Sequence, residues 1–132
     1  MLRLRALLML SMALAAYSAG CAPQEEEAYR TLTMSTSLTE IEADGEISAE
    51  LVVNAVESDG KPGSGWVVLL SKHGQMTPYG LPEATVELVK GEAILRYDCD
   101  AGLDSKCEGS QRIRAVWKDT GAGVSIVVRK KQ

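Results

Sequence analysis

Residues 84–99 read ATVELVKGEAILRYDC, and this stretch decides the fold. Apolar side chains occupy every second position on both sides of Lys90-Gly91. A period of two is typical of a β-strand that turns one face to a core and the other to solvent. A Lys-Gly pair between two such runs favours a tight two-residue turn. The stretch therefore predicts two strands joined as a hairpin.

The same alternation recurs elsewhere in the chain, and no segment after residue 28 has a helical period. The side chains expected to face the core are Ala49, Leu51, Val53 and Ala55, then Ile113, Ala115 and Trp117, then Val124, Ile126 and Val128. Residues 66–70 are apolar on both faces, as in a central strand, so the pattern leaves the environment of Trp66 open. About seven short strands separated by turn residues predict an all-β fold, a two-sheet sandwich. A small closed barrel has the same local pattern.

The N-terminus has the three-part layout of a cleaved signal peptide over residues 1–20, with two early arginines, an apolar run at 6–16 and a small-residue exit. The run is about half the roughly 20 residues that span a bilayer. Cys21 follows directly. This arrangement resembles a bacterial lipoprotein signal, which implies that Cys21 is lipidated and becomes the first residue of the mature chain. Ser18 departs from the usual Leu, Val or Ile, and an ordinary signal peptide is the alternative.

An acidic tether is predicted to follow the lipidated cysteine over residues 21–28, with the folded domain at 29–130. Residues 22–28, APQEEEA, are polar and lack periodicity. The chain has a formal net charge of −4, which becomes more negative once the early arginines leave with the signal peptide. An acidic surface argues against a nucleic-acid partner and against electrostatic adhesion to anionic lipid. We therefore predict that the lipid is the contact with the membrane.

Cys99 and Cys107 are expected to form a disulfide, because they remain as a pair once Cys21 is assigned to the lipid. The bridge would close a loop of about nine residues, which stabilises the fold by roughly 2.5 kcal/mol in the chain-entropy treatment. A structural zinc site is disfavoured, since these two thiolates and His73 give three ligands where four are needed. We predict no metal and no cofactor.

Four short motifs along the chain point to a family. They are Ala43-Asp44-Gly45, Asp59-Gly60-Lys61-Pro62, Gly91-Glu92-Ala93 and Ala115-Val116. In this order, and over about residues 30–128, they resemble the bacterial immunoglobulin-like domains of the invasin and intimin type. The resemblance implies an immunoglobulin-like β-sandwich and a role in cell adhesion. The Cys99–Cys107 loop and the single copy depart from the family pattern, and one copy cannot serve as a long spacer.

Residues that carry catalytic chemistry are scarce. His73 is the only histidine, it lies in a turn-rich segment, and no G-x-S-x-G sequence is present. We predict no catalytic residues and a solvent-facing His73. The acidic run Asp98-x-Asp100-x-Gly102-x-Asp104 faintly resembles a calcium loop, but Gly109 stands where the bidentate glutamate is required. Calcium binding is therefore a minor alternative.

Two loops are the predicted recognition surface, residues 73–81 and 98–110, because binding residues concentrate on exposed loops held by a rigid scaffold. The candidate binding residues within them are His73, Asp100, Asp104 and Glu108. The sequence thus favours a non-enzymatic, lipid-anchored protein of the bacterial outer membrane that binds a protein or glycan. A structural subunit that docks on another envelope protein through a sheet edge is the alternative, and an enzyme is the least favoured interpretation.

Overall fold

The computed structural model describes residues 29–131, and these form two β-sheets packed face to face. The strands are β1 (Thr31–Thr36), β2 (Glu40–Glu42), β3 (Ala49–Val56), β4 (Trp66–Ser71), β5 (Gln75–Thr77), β6 (Glu83–Glu87), β7 (Glu92–Asp98), β8 (Gly109–Trp117) and β9 (Thr120–Arg129). This part of the chain contains no helix, and therefore no helix able to cross a membrane. The predicted signal peptide, Cys21 and the tether lie outside the described residues.

The sheets have the strand orders β1-β3-β7-β5 and β2-β9-β8-β4-β6. These match the immunoglobulin orders A-B-E-D and G-F-C-C′, with β2 added beside the last strand. One difference is that β5 precedes β6 in the chain, whereas strand C′ precedes strand D in the immunoglobulin order. The all-β sandwich is confirmed and the barrel alternative is wrong. Nine strands occur within residues 29–131 instead of about seven, because β2 and β5 are three-residue strands with no visible periodicity.

The core lies between the sheets and contains the side chains that the alternation assigned to it, with Val124 only partly buried. Trp117 is fully buried, as predicted, and its Nε1 donates a hydrogen bond of 2.9 Å to the Ser64 carbonyl. Trp66, which the sequence left open, is 60% exposed. The buried tryptophan therefore lies at the end of β8, whereas immunoglobulin domains bury one on the strand equivalent to β4.

The turn at Lys90-Gly91 is present, but the hairpin predicted around it is wrong. Val89 and Glu92 exchange backbone hydrogen bonds of 2.9 and 3.0 Å, and both turn residues have positive φ, as a tight turn of this kind requires. Beyond this bridge, β6 pairs with β4 and β7 pairs with β3, in different sheets. The segment crosses from one sheet to the other, so the apolar faces of β6 and β7 meet in the core from opposite sides. Alternation reports which side chains are buried, and it does not report which strand is the neighbour.

The two ends of the sandwich differ in what they carry. The N-terminal end holds Tyr29 and the turns at 57–65, 89–92 and 118–119, as shown by the pairing of Thr31 with Val56 and of Trp117 with Thr120. The loop end holds residues 72–74, 78–82 and 99–108, together with the end of β9. The folded chain therefore begins at one end of the sandwich and finishes at the other.

Candidate functional site

The two predicted recognition loops meet at the loop end and enclose a groove of about 230 Å³. We call it the loop groove. Its lining comes from both loops, with Gly74, Gln75 and Gly80 on one side and Asp100, Leu103 and Asp104 on the other. Two of the four candidate binding residues therefore line the same groove.

His73 and Asp104 connect the two loops directly. The Nδ1 atom of His73 lies 3.0 Å from Oδ2 of Asp104, although the residues are 31 positions apart. An ionised carboxylate only accepts hydrogen bonds, so Nδ1 carries the hydrogen in this contact. The side chain of His73 is 21% exposed. His73 is therefore partly buried and bonded to the second loop, and it is less open to solvent than the sequence suggested.

The carboxylate of Asp104 is held in its charged form. The backbone N–H of Lys106 donates to Oδ1 at 3.0 Å, and this is the largest cause of a pKa below the usual value. The contact with His73 lowers the pKa of Asp104 further, while partial removal from water opposes the shift. Asp104 is thus negatively charged at neutral pH where it faces the groove.

Tyr97 fixes the backbone of the first loop from inside the core. Its hydroxyl donates a hydrogen bond of 2.7 Å to the carbonyl of His73. Burial raises the pKa of Tyr97, with smaller contributions from the charges of Asp104 and Asp98. Gly74 packs against the same ring, since a Cβ there would lie 2.5 Å from the hydroxyl oxygen. The position of His73 is therefore set by a fully buried residue of β7.

The disulfide between Cys99 and Cys107 closes the second loop, as predicted. Both cysteines are buried. Asp100 adds to the closure, because its carbonyl accepts backbone hydrogen bonds from Leu103 and Asp104 at 3.0 and 2.8 Å. Immunoglobulin domains join their two sheets with a disulfide, whereas this bridge links the end of β7 to the loop before β8. The second loop is thus closed by its own disulfide and its own backbone hydrogen bonds.

Asp100 and Glu108 contribute differently to the site. The carboxylate of Asp100 accepts a hydrogen bond of 2.8 Å from the Gly102 backbone, and its backbone forms a bridge with Asp44. Glu108 is exposed, and its backbone carbonyl accepts a hydrogen bond of 3.1 Å from Gln111 Nε2. The structure thus brings together His73, Asp100 and Asp104 and leaves Glu108 outside the loop groove.

Sequence reasoning missed the apolar residues on these loops. Tyr79, Leu81 and Leu103 are exposed, and Leu103 is the most exposed of the three at 77%. The sequence did contain a signal for these exposed residues, because large apolar side chains are unusual in turns rich in Gly, Pro and Asp. Asp98 stands between Tyr97 and Cys99, so the alternation of residues 84–99 predicts it on the outward face of its strand. It is nevertheless buried, and its Oδ1 has no hydrogen-bond partner within the described part of the chain. Thr77 donates to the other oxygen at 3.3 Å.

The acidic residues of the second loop were also considered as a calcium site. Within residues 29–131, no three or more His, Cys, Asp or Glu side chains are grouped so that they could hold a metal ion. Asp100 uses its carboxylate on the backbone of its own loop, and Asp104 uses both oxygens on the contacts described above.

Comparisons with known proteins find solved structures of similar fold. No protein-family model and no curated protein matches the chain. Among solved structures, domains 1–6 of the surface layer protein SbsC give a TM-score of 0.51 at 16% identity, covering 78% of this chain and 14% of that one. The D00-D0 domain of intimin gives 0.47 at 14% identity, covering 80% and 51%. BslA, a bacterial hydrophobin, gives 0.45 at 13% identity, covering 76% and 100%. At these identities the similarity concerns the fold alone.

Proposed function

We propose that the protein is a non-enzymatic component of the bacterial cell envelope, anchored to the outer membrane by a lipid on Cys21, which binds a protein or glycan through the loop groove. The observation that carries the proposal is the position of this groove. It lies at the end of the sandwich opposite Tyr29, where the tether enters. An anchor at Cys21 therefore presents the loop groove away from the membrane.

The tether length supports this orientation. The residues 22–28 that separate the lipidated position from the domain span at most about 25 Å when fully extended. The N-terminal end of the sandwich is thus kept near the bilayer. A lipoprotein carries several acyl chains, and each buried CH₂ contributes about 0.8 kcal/mol, so the anchor needs no basic patch on the domain.

The chemistry of the groove supports binding rather than catalysis. The His73 ring uses Nδ1 to hold Asp104, the Tyr97 hydroxyl is used on a backbone carbonyl, and the two cysteines are joined to each other. An activated nucleophile requires a free hydroxyl or thiol beside its base. Here the polar groups hold the loops in one shape. A partner can then bind without the free-energy cost of ordering the loops.

The exposed apolar residues around the loops support a macromolecular partner. Tyr79 and Leu103 extend from the two loops that form the groove. Aromatic residues are enriched in protein interfaces, and the buried core of an interface is more apolar than its rim. A tyrosine ring is equally suited to pack against the apolar face of a sugar. SbsC is a surface layer protein with this fold, and we take that as fold-level analogy only.

Site-specific photocrosslinking in the native bacterium tests the proposal. A benzophenone amino acid at Leu103 or at Tyr79 is expected to capture the same partner. The matched control is Lys61, whose side chain is also exposed but lies at the N-terminal end. Capture of the same product from Lys61, or of none from both loop positions, would contradict binding through the loop groove.

A further inference from the structure

The edge strand β6 carries a row of unused backbone groups. Within the described chain it pairs with β4 alone and ends its sheet. The bonds from Leu88 N to Gly65 O and from Ser71 N to Pro82 O fix the phase of this pairing. In an antiparallel ladder, alternate residues bond to the neighbour and those between them point away. The N–H and C=O groups of Glu83, Thr85 and Glu87 therefore face outward from the edge.

An apolar groove runs beside this edge, on the side where the two sheets separate. Its volume is about 630 Å³, and we call it the edge groove. Val86 of β6, Val89 of the crossing turn and Ile94 of β7 lie along it, and Val89 and Ile94 are 67% and 52% exposed. The groove is open because β5 covers only the last part of β7, pairing with Arg96, Tyr97 and Asp98.

The charges along the edge are acidic. Glu83 and Glu87 flank Thr85 on the strand, and Glu92 lies on the opposite wall of the edge groove, where Lys90 is the one basic residue among those that line it. Acidic side chains on an edge prevent pairing with another acidic strand, and the same charges favour a partner that carries Lys or Arg. The edge thus discriminates between partners by charge.

We infer that β6 accepts an extended segment of a partner protein in which apolar residues alternate with Lys or Arg. The segment adds to the sheet as a further strand and bonds to the open backbone groups of Glu83, Thr85 and Glu87. Its apolar side chains enter the edge groove, and its basic side chains lie across from the glutamates, the arrangement that stabilises cross-strand pairs. This surface is separate from the loop groove, so either proposal can fail alone.

Occupants from this protein itself are disfavoured. A second copy paired antiparallel about Thr85 would place Glu83 opposite Glu87, and a parallel copy would also place glutamates side by side. The tether at 22–28 is acidic and meets the same repulsion. Two basic residues near the end of the described chain are paired on the other edge of the sheet, where Arg129 contacts Glu40 and Lys131 lies 3.2 Å from Asp44.

Binding of a synthetic peptide to the full chain in non-ionic detergent tests this inference. The probe is a seven-residue peptide in which Lys and Val alternate, and the control has the same composition with all Lys before all Val. Fluorescence anisotropy should show saturable binding of the alternating peptide in the millimolar range or tighter. Thr85→Pro removes an N–H that β4 does not use, so the fold is retained. It should weaken binding by about tenfold or more, whereas Thr85→Val, which keeps the N–H, should not.

Hydrogen exchange gives a second readout. Bound peptide should protect the amides of Glu83, Thr85 and Glu87 specifically. The inference is overturned if the alternating peptide does not bind, if the two peptides bind equally, or if Thr85→Pro leaves the affinity unchanged. A concentration-dependent dimer in sedimentation that Thr85→Pro abolishes would assign the edge to a second copy and would also overturn it.

Discussion

Gly63 is a position where one added methyl group should damage the core through packing alone, since its backbone φ is not positive. A Cβ at this residue would lie 2.6 Å from the Cβ of Ala55 and 2.8 Å from Cζ2 of Trp117. Neither neighbour can withdraw easily. The methyl group of Ala55 is fixed to the backbone of β3, and Trp117 is fully buried with its indole nitrogen bonded to Ser64. Gly63 itself is held by a backbone hydrogen bond of 2.8 Å to Ala55.

We therefore expect Gly63→Ala to lie at the upper end of the range for overpacked cores, about 3 kcal/mol of lost stability. For a domain of this size, that corresponds to a fall in Tm of about 12 °C or more. Urea and thermal unfolding followed by tryptophan fluorescence measure the change, because Trp117 passes from the core to water. Its spectrum should also shift in the native state, since the substitution displaces the indole.

Gly121→Ala is the matched control. Neither glycine has a positive φ, but the nearest atom to a Cβ at Gly121 is the Ala115 carbonyl oxygen at 3.6 Å, an ordinary contact. This variant should change the free energy of unfolding by about 0.5 kcal/mol or less. Equal stabilities of the Gly63→Ala protein and the wild type would refute the packing argument. So would equal losses in the two variants, since that would show a general intolerance of added side chains.

Three further outcomes are expected. The hydrogen bonds that the Asp104 carboxylate accepts lower its pKa below the unfolded value of about 4. The ionised carboxylate therefore stabilises the fold above that pH, and this stabilisation is lost as the pH falls through the folded pKa. Urea unfolding between neutral and acidic pH should accordingly show that the stability of Asp104→Asn depends less on acid than that of the wild type. Replacing Cys99 and Cys107 together with Ala should reduce the free energy of unfolding by about 2.5 kcal/mol, measured by denaturant titration, and addition of a reductant should then have no further effect. Cys21→Ser should abolish incorporation of labelled palmitate and release the protein from the membrane fraction; unchanged fractionation would contradict lipid anchoring.

The sequence predicted the fold class and the composition of the core because both depend on local alternation. Leu51 in β3 and Ile113 in β8 are buried where the period of two placed them. The partner of each strand is a property of distant segments, which explains why the crossing at Lys90-Gly91 was interpreted as a hairpin. β5 was missed for a related reason, because three residues between glycines and prolines carry no period and pair only through β7.

The sequence predicted which two loops form the candidate site, but it did not predict the contacts between them. His73 and Asp104 were both selected from composition, but no local signal indicates that residues in separate loops share a hydrogen bond. The same limit applies to Asp98, which alternation placed on an outward face and which is nevertheless buried. A strand pattern defines two faces, and a long loop that folds over one of them changes its exposure without changing the pattern.

The parallel pairing of β2 with β9 has a mechanical consequence. Glu40, Ile41 and Glu42 lie beside Val127, Val128 and Arg129, and the two strands run in the same direction. Tension applied between residues 29 and 131 would pull these strands past each other along their length. Their hydrogen bonds would then be loaded together in shear rather than peeled one at a time, so we expect single-molecule stretching from the two termini to show one abrupt rupture.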